Sequence, residues 1–284
     1  MNLRKAIELQ LPHGYAIQGQ LGAGGTSWVY LAGRPGGEER LVVKVMHPGT
    51  VKPDRVDRFL REIRILKKLD HPRIIPVLES GEANGAVFFT MPYIAGETLE
   101  TRLQRGGPLS VREALLVARD VSDALGHAHA KGVVHRDVKP GNILLAGGSA
   151  YLMDFGFANA PSVMSARDAT KESGFVVGTP TYMSPEQVNG KFAADWRSDF
   201  FSLGCVMYEM LTGRPPFPAD SRRAAMARRA ELRPPDARTL RPEVPADVAT
   251  IICRNLESSP SERFATASAL HAAIDAALER LGEG

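Results

Sequence analysis

Apolar positions follow two rhythms along this chain. From Tyr15 to about Met91 they come in short strand-like runs, Ser27 to Ala32, Leu41 to Met46 and Val87 to Met91, broken by turns such as Arg34-Pro35-Gly36-Gly37. One stretch departs from this. Asp54 to Leu69 sets Val56, Phe59, Leu60, Ile63 and Leu66 at helical spacing, with Pro53 before it and Pro72 after. This half predicts a small sheet with a single helix. Beyond Pro92-Tyr93-Ile94-Ala95-Gly96 the helical period takes over. It predicts helices over Val111 to Lys131, closed by Gly132, and Ser198 to Leu211, closed by Gly213, then over Ala219 to Leu232, Ala246 to Leu256 and Thr266 to Leu281. The stretch Asp199 to Leu211 is apolar almost all round, as the buried centre of a larger lobe would be. Two unequal lobes joined by a short hinge follow.

Composition narrows the function classes. The 284 residues suffice for one large domain or two that share a core, and 44% hydrophobic with 24% charged residues is ordinary for a folded chain. The net charge of +3 is too small to argue for a nucleic-acid or membrane partner. No apolar run approaches 18 residues, and Arg4, Lys5 and Glu8 interrupt the first twelve, so a membrane helix or signal peptide is not expected and the protein reads as cytoplasmic. Residues 1–14 read as a short amphipathic leader without an assigned function. Cys205 and Cys253 lie in apolar stretches with no CxxC partner and read as two buried thiols.

Three features suggest phosphate chemistry, each weak alone. Gly22-Ala23-Gly24-Gly25-Thr26-Ser27-Trp28-Val29-Tyr30 is a glycine-rich turn between strand-like runs, where backbone N–H groups unobstructed by Cβ atoms can close over phosphate oxygens. A dinucleotide fingerprint fits worse, because a strand follows where a helix is needed, and the Walker A lysine is absent. Lys44 interrupts the apolar strand Leu41 to Met46 on the face shared by Val42 and Met46; a snorkelling surface lysine is the plain alternative. Glu62 lies at the edge of the apolar stripe of the first helix, where a carboxylate needs a cation or solvent. Lys44 is a candidate for that cation.

The next segment is far more specific. His135-Arg136-Asp137-Val138-Lys139-Pro140-Gly141-Asn142 is followed by Asp154-Phe155-Gly156 and then by Ser184-Pro185-Glu186. In this order, after the glycine turn, the strand lysine and the helix glutamate, the motifs resemble those of the protein-kinase family over residues 15 to about 281. Lysine two residues after Asp137, with Gly178-Thr179-Pro180, resembles the serine/threonine branch and bacterial kinases of eukaryotic (Hanks) type.

The resemblance implies an α+β bilobal fold with a small five-stranded antiparallel sheet plus one helix over 15–91, a hinge at 92–96, and a mainly helical lobe over 97–284 that includes an activation segment at 154–186. It implies Mg-ATP as cosubstrate, with Mn2+ as an alternative ion, and protein substrates. Asp137 would orient the substrate hydroxyl and Lys139 would sit against the transferring phosphate. Asn142 and Asp154 would hold the metal. Lys44, fixed by Glu62, would bind the α and β phosphates beneath Gly22, Ala23, Gly24, Gly25, Ser27 and Val29. The adenine pocket would be Val29, Val42, Met91 as gatekeeper, Pro92 and Ile94 of the hinge, and Leu144. Val42 stands where alanine is usual, Ser27 where a third loop glycine is usual, and Pro92 where an acidic residue is common. In scaffold roles, Asp199 would brace the catalytic loop and Arg263 would pair with Glu186.

The segment after Asp154 carries Ser162, Ser165, Thr170, Ser173, Thr179 and Thr181. Because Arg136 precedes Asp137, the resemblance implies control by loop phosphorylation, with Thr170, Ser173 and Thr179 as acceptors and Arg58 as a second cation. Arginine clusters at Arg55, Arg58, Arg61 and Arg64, and at Arg222, Arg223, Arg228, Arg229 and Arg233, read as solvated helix faces or as docking for acidic proteins. A pseudokinase scaffold and a small-molecule kinase are the rival readings. Nothing in the sequence decides between monomer and dimer.

Overall fold

The computed structural model describes residues 2–12, 14–51, 56–155, 180–188, 195–217 and 236–282. The expected helix over Ala219 to Leu232, the arginines at 55, 222, 223, 228, 229 and 233, and the acceptors Ser162, Ser165, Thr170, Ser173 and Thr179 lie outside them. The chain forms two compact units. One is built from Met1–His71 and Ile75–Ala95, the other from Pro72–Ile74 and, among the described residues, Gly96 onward.

The smaller unit is an antiparallel sheet in the order β1-β2-β3-β5-β4, with β1 Ala16–Ala23, β2 Ser27–Gly33, β3 Arg40–Met46, β4 Ser80–Ala83 and β5 Ala86–Pro92. Alternation along β3 decides what each face holds: Leu41, Val43 and Val45 are buried on one side, while Val42 and Lys44 are half-buried on the other. Helix α1, Leu3–Glu8, covers the first face, with Ala6, Ile7 and Leu11 packed into a cluster that includes Ile17, Val43, Val45 and Phe88. The side chain of Asn2 caps it, Arg4 donates to the Ile17 carbonyl, and Glu8 accepts from the Ile17 N–H at 3.1 Å. The leader is therefore part of the small unit, because the outer sheet face would otherwise expose valines. Helix α2, Val56–Leu66, buries Val56, Phe59 and Ile63 and is shorter than its pattern suggested, since Lys68 and Leu69 make three-residue turn bonds to Ile65 and Leu66.

The larger unit is mainly helical: α3 Leu99–Gly106, α4 Val111–Ala130, α5 Pro185–Val188, α6 Arg197–Thr212, α7 Ala246–Asn255 and α8 Ala267–Gly282. Helix α4 starts at a reciprocal capping box of Ser110 and Glu113. Helix α6 ends at Gly213 in the left-handed region, φ 76°. The apolar residues of α6, from Phe200 to Leu211, are buried as expected, and α6 packs against both α4 and α7. Gly204 permits the second contact, because a Cβ there would lie 2.7 Å from that of Asn255. Cys205 is buried and Cys253 only half-buried; neither is in a disulfide, and burial pushes the Cys253 thiol up.

A small sheet in the order β6-β7-β8, Glu97–Thr98, Ile143–Ala146 and Ser149–Leu152, flanks this core. Residues Pro72–Ile74, placed in the small lobe by chain order, belong to this unit. The Arg73 carbonyl accepts from Leu152 N–H at 2.8 Å and its side chain meets Asp120 at 3.3 Å.

Candidate active site

From Gly132 to Lys139 the chain leaves α4 without regular structure, before a single 3-10 turn at Pro140–Asn142, so its shape depends on outside partners. Asp199, near the start of α6 and fully buried, supplies most of them. Its Oδ2 accepts the His135 N–H at 2.8 Å and its Oδ1 the Arg136 N–H at 2.7 Å, while His129 Nε2 of α4 lies 2.8 Å from Oδ2. Charge-assisted bonds of this kind are among the strongest in a protein. They hold Arg136 at φ 66°, a left-handed conformation costly for a residue with a Cβ. The Arg136 carbonyl accepts from Gln187 Nε2 at 3.0 Å.

His135 is buried, and its two partners assign its tautomer. The Met153 carbonyl, 3.0 Å from Nε2, can only accept, and the Asp137 N–H, 3.2 Å from Nδ1, can only donate. The ring is therefore neutral with the proton on Nε2, in keeping with burial, which pushes its pKa down against the raising influence of Asp199 and Asp137.

This frame brings Asp137, Lys139 and Asn142 together. Lys139 Nζ lies 2.8 Å from Asp137 Oδ2, and Asn142 Nδ2 donates to the Asp137 carbonyl at 2.7 Å and to Oδ2 at 2.9 Å. Those bonds use the nitrogen end of the Asn142 amide, which fixes the other end as oxygen. The Asn142 carbonyl accepts from Met153 N–H at 3.0 Å, one residue before Asp154, which stands at φ 60°. Among the described residues no three His, Cys, Asp or Glu side chains are grouped as a metal cage. The oxygen donors of Asn142 and Asp154 suit a hard ion that completes its shell with phosphate oxygens and water.

In the smaller unit Val29, Val42, Lys44 and Met91 of the expected nucleotide residues share one sheet face through strand register. Lys44 stands opposite Val29 on β2 and Phe89 on β5, and in the neighbouring row Val42 stands opposite Leu31 and Met91. Pro92 pairs with Leu41, Tyr93 N–H donates to the Arg40 carbonyl at 3.1 Å, and Ile94 is half-buried. Gly22 to Gly25 close the β1–β2 hairpin, with Gly24 N–H donating to the Ser27 carbonyl at 2.8 Å. Ser27 is buried. Glu62 on α2 has Arg58 Nε 3.5 Å away, so the cation expected to serve the loop faces the helix glutamate. Leu144 lies on β7 of the larger unit, opposite Tyr151.

Sequence reasoning missed two participants, His129 and Gln187, and, away from the loop they hold, the pair Tyr182–Glu209, whose Tyr182 hydroxyl donates to Glu209 Oε2 at 2.5 Å. A histidine and a glutamate inside otherwise apolar helical stretches were the available signals. Gln187, three residues after Ser184, had none beyond its spacing.

A model of the protein kinase domain matches residues 15–273. Serine/threonine-protein kinase PknH of Mycobacterium bovis is 35% identical over 266 residues, which cover 93% of this chain and 44% of that protein. This chain thus spans under half the length of that relative. The crystal structure of the Mycobacterium tuberculosis PknI kinase domain superposes with a TM-score of 0.72 at 28% identity, covering 93% of this chain and 96% of that one. Rad53 residues 1–466 in complex with AMP-PNP gives a TM-score of 0.75 at 23% identity over 92% of this chain and 65% of that one, a likeness of fold. With the loop around Asp137 held as described and a family match across nearly all of its length, this chain belongs to the protein kinase domain family.

Proposed function

We propose that this chain transfers the γ-phosphoryl group of ATP to serine or threonine hydroxyls of proteins, as a bacterial kinase of eukaryotic type acting in the cytoplasm. The observation that carries the reading is the convergence of Lys139 and Asn142 on Asp137, in a loop anchored by Asp199. Asp137 orients the attacking hydroxyl and takes its proton. Lys139, already beside that carboxylate, steadies the charge on the phosphoryl group as it moves between oxygens. Asn142 and Asp154 hold Mg2+, which when bound neutralises phosphate charge. Lys44 grips the α and β phosphates and is aligned by Glu62, with the turn from Gly22 to Gly25 above them and Val29, Val42, Met91, Pro92, Ile94 and Leu144 around the adenine. Thr170, Ser173 and Thr179 are the self-phosphorylation candidates.

The test is intact mass before and after incubation of dephosphorylated protein with Mg-ATP and a generic protein substrate, beside Asp154→Asn. Added phosphate on protein or substrate in the wild type alone supports the kinase. ATP binding with no transfer to any protein supports the nucleotide-responsive scaffold instead.

A further inference from the structure

The glycine turn of the smaller unit is tied to the strand that carries Lys44 by a side chain outside the family's motifs. His47 lies just past the end of β3, three residues after Lys44. Its Nε2 is 2.9 Å from the Gly24 carbonyl, and its own N–H donates to the Thr26 carbonyl at 2.8 Å. A carbonyl can only accept, so the imidazole carries a proton on Nε2. The edge of the ring system is braced by Trp28 at the start of β2, with ring centroids 4.2 Å apart and planes at 86°. Together with the Gly24–Ser27 backbone bond, these contacts clamp the tip of the hairpin at both of its strands.

Such a clamp answers a specific cost. Glycines let backbone N–H groups approach phosphates, yet the same freedom makes an unrestrained turn expensive to order when a ligand arrives. We propose that His47 is a positioning residue that pre-orders the Gly22–Gly25 turn over the Lys44 strand for triphosphate binding. The inference rests on the kinase reading. His47 touches neither phosphate nor the transferring group; it acts through the Gly24 carbonyl. Losing one such bond weakens ATP binding by about 3- to 10-fold, with kcat at saturating ATP nearly unchanged, because the cost falls on ordering the turn and not on the chemistry.

The experiment compares wild type, His47→Ala and His47→Gln by amide hydrogen exchange of the 22–27 segment in nucleotide-free protein, by calorimetric ATP affinity, and by the KM and kcat for ATP. Faster exchange and weaker ATP binding in His47→Ala, with a rise confined to KM and at least partial restoration by the amide donor of His47→Gln, support the proposal. Exchange unchanged in His47→Ala overturns it, as does faster exchange with unaltered ATP affinity or an equal loss in kcat. Wild-type protein that binds no ATP overturns the kinase reading, while the exchange rates still decide whether His47 holds the turn.

Discussion

Arg263 clasps Glu186 at two points, Nη1 to Oε1 at 2.7 Å and Nη2 to Oε2 at 2.9 Å, with the arginine side chain wholly buried. Ser198 adds a third bond to Oε1 at 2.7 Å, and the remaining guanidinium donors reach the carbonyls of Arg197, Glu257 and Ser258. Burial alone would push the Glu186 carboxyl up, but the guanidinium and the Ser198 hydroxyl outweigh it and hold the pKa below the usual carboxylate range. Breaking a buried pair strands the other charge, at a cost of about 3–5 kcal/mol. Arg263→Met should therefore lower the melting temperature steeply. Because the folded pKa is depressed, the contribution of Glu186 is present above the unfolded carboxylate pKa and is lost as pH falls through the folded one. Acid melts of Glu186→Gln should accordingly be less pH-dependent than those of the wild type.

Glu209 behaves in the opposite sense. It is half-buried and bonded to the Tyr182 hydroxyl; burial pushes its carboxyl up, that bond only partly offsets this, and the nearby charge of Glu100 adds to the rise. A raised folded pKa means that stability falls as pH rises from the unfolded carboxylate pKa through the folded one. Glu209→Gln keeps an acceptor for Tyr182 and sheds the half-buried charge. Its melting temperature should exceed that of wild type at pH 7 to 8, and the gap should close towards pH 4. Equal gaps at both ends would refute this account.

Asp199 accepts the N–H groups of two consecutive residues, His135 and Arg136, and each bond to a charged group is worth about 1.5–3 kcal/mol. Asp199→Asn turns one acceptor into a donor facing an N–H. The catalytic loop should lose its shape, and kcat should fall about 10- to 100-fold if one such bond's worth of positioning is lost. Steady-state kinetics showing a change in KM alone would contradict this.

Asp137→Asn removes the proposed base while leaving Lys139 and Asn142 in place. A general acid–base contribution of about 10²- to 10⁴-fold should disappear from kcat. Calorimetry should show ATP still bound.

Ile7 is 1% exposed between α1 and the sheet. Ile7→Ala should cost about 2–5 kcal/mol, measured by denaturant melts of the whole chain. Gly81 faces Gln10 and the Phe88 ring so closely that Gly81→Ala should also loosen this helix.

Much of this architecture is already written in local spacing. Strand alternation around Lys44, the apolar length of α6 and the run from His135 to Asn142 are properties of neighbours along the chain, which periodicity and motif order report directly. The left-handed Arg136 is different. The family resemblance already pointed to Asp199 as a brace, but nothing in His135-Arg136-Asp137 shows that it acts by accepting the N–H of Arg136, 63 residues away, or that His129 of another helix shares the same carboxylate. The same holds for His47, whose partner lies 23 residues earlier across a sheet, and for Pro72–Ile74, which leave the unit of their chain neighbours for β8. By itself the sequence determined which groups could do the chemistry and which elements carry them. Only the tertiary structure decided what holds those groups in place, because a buried donor or acceptor finds its partner through space, and spacing along the chain records only what lies within a turn or two.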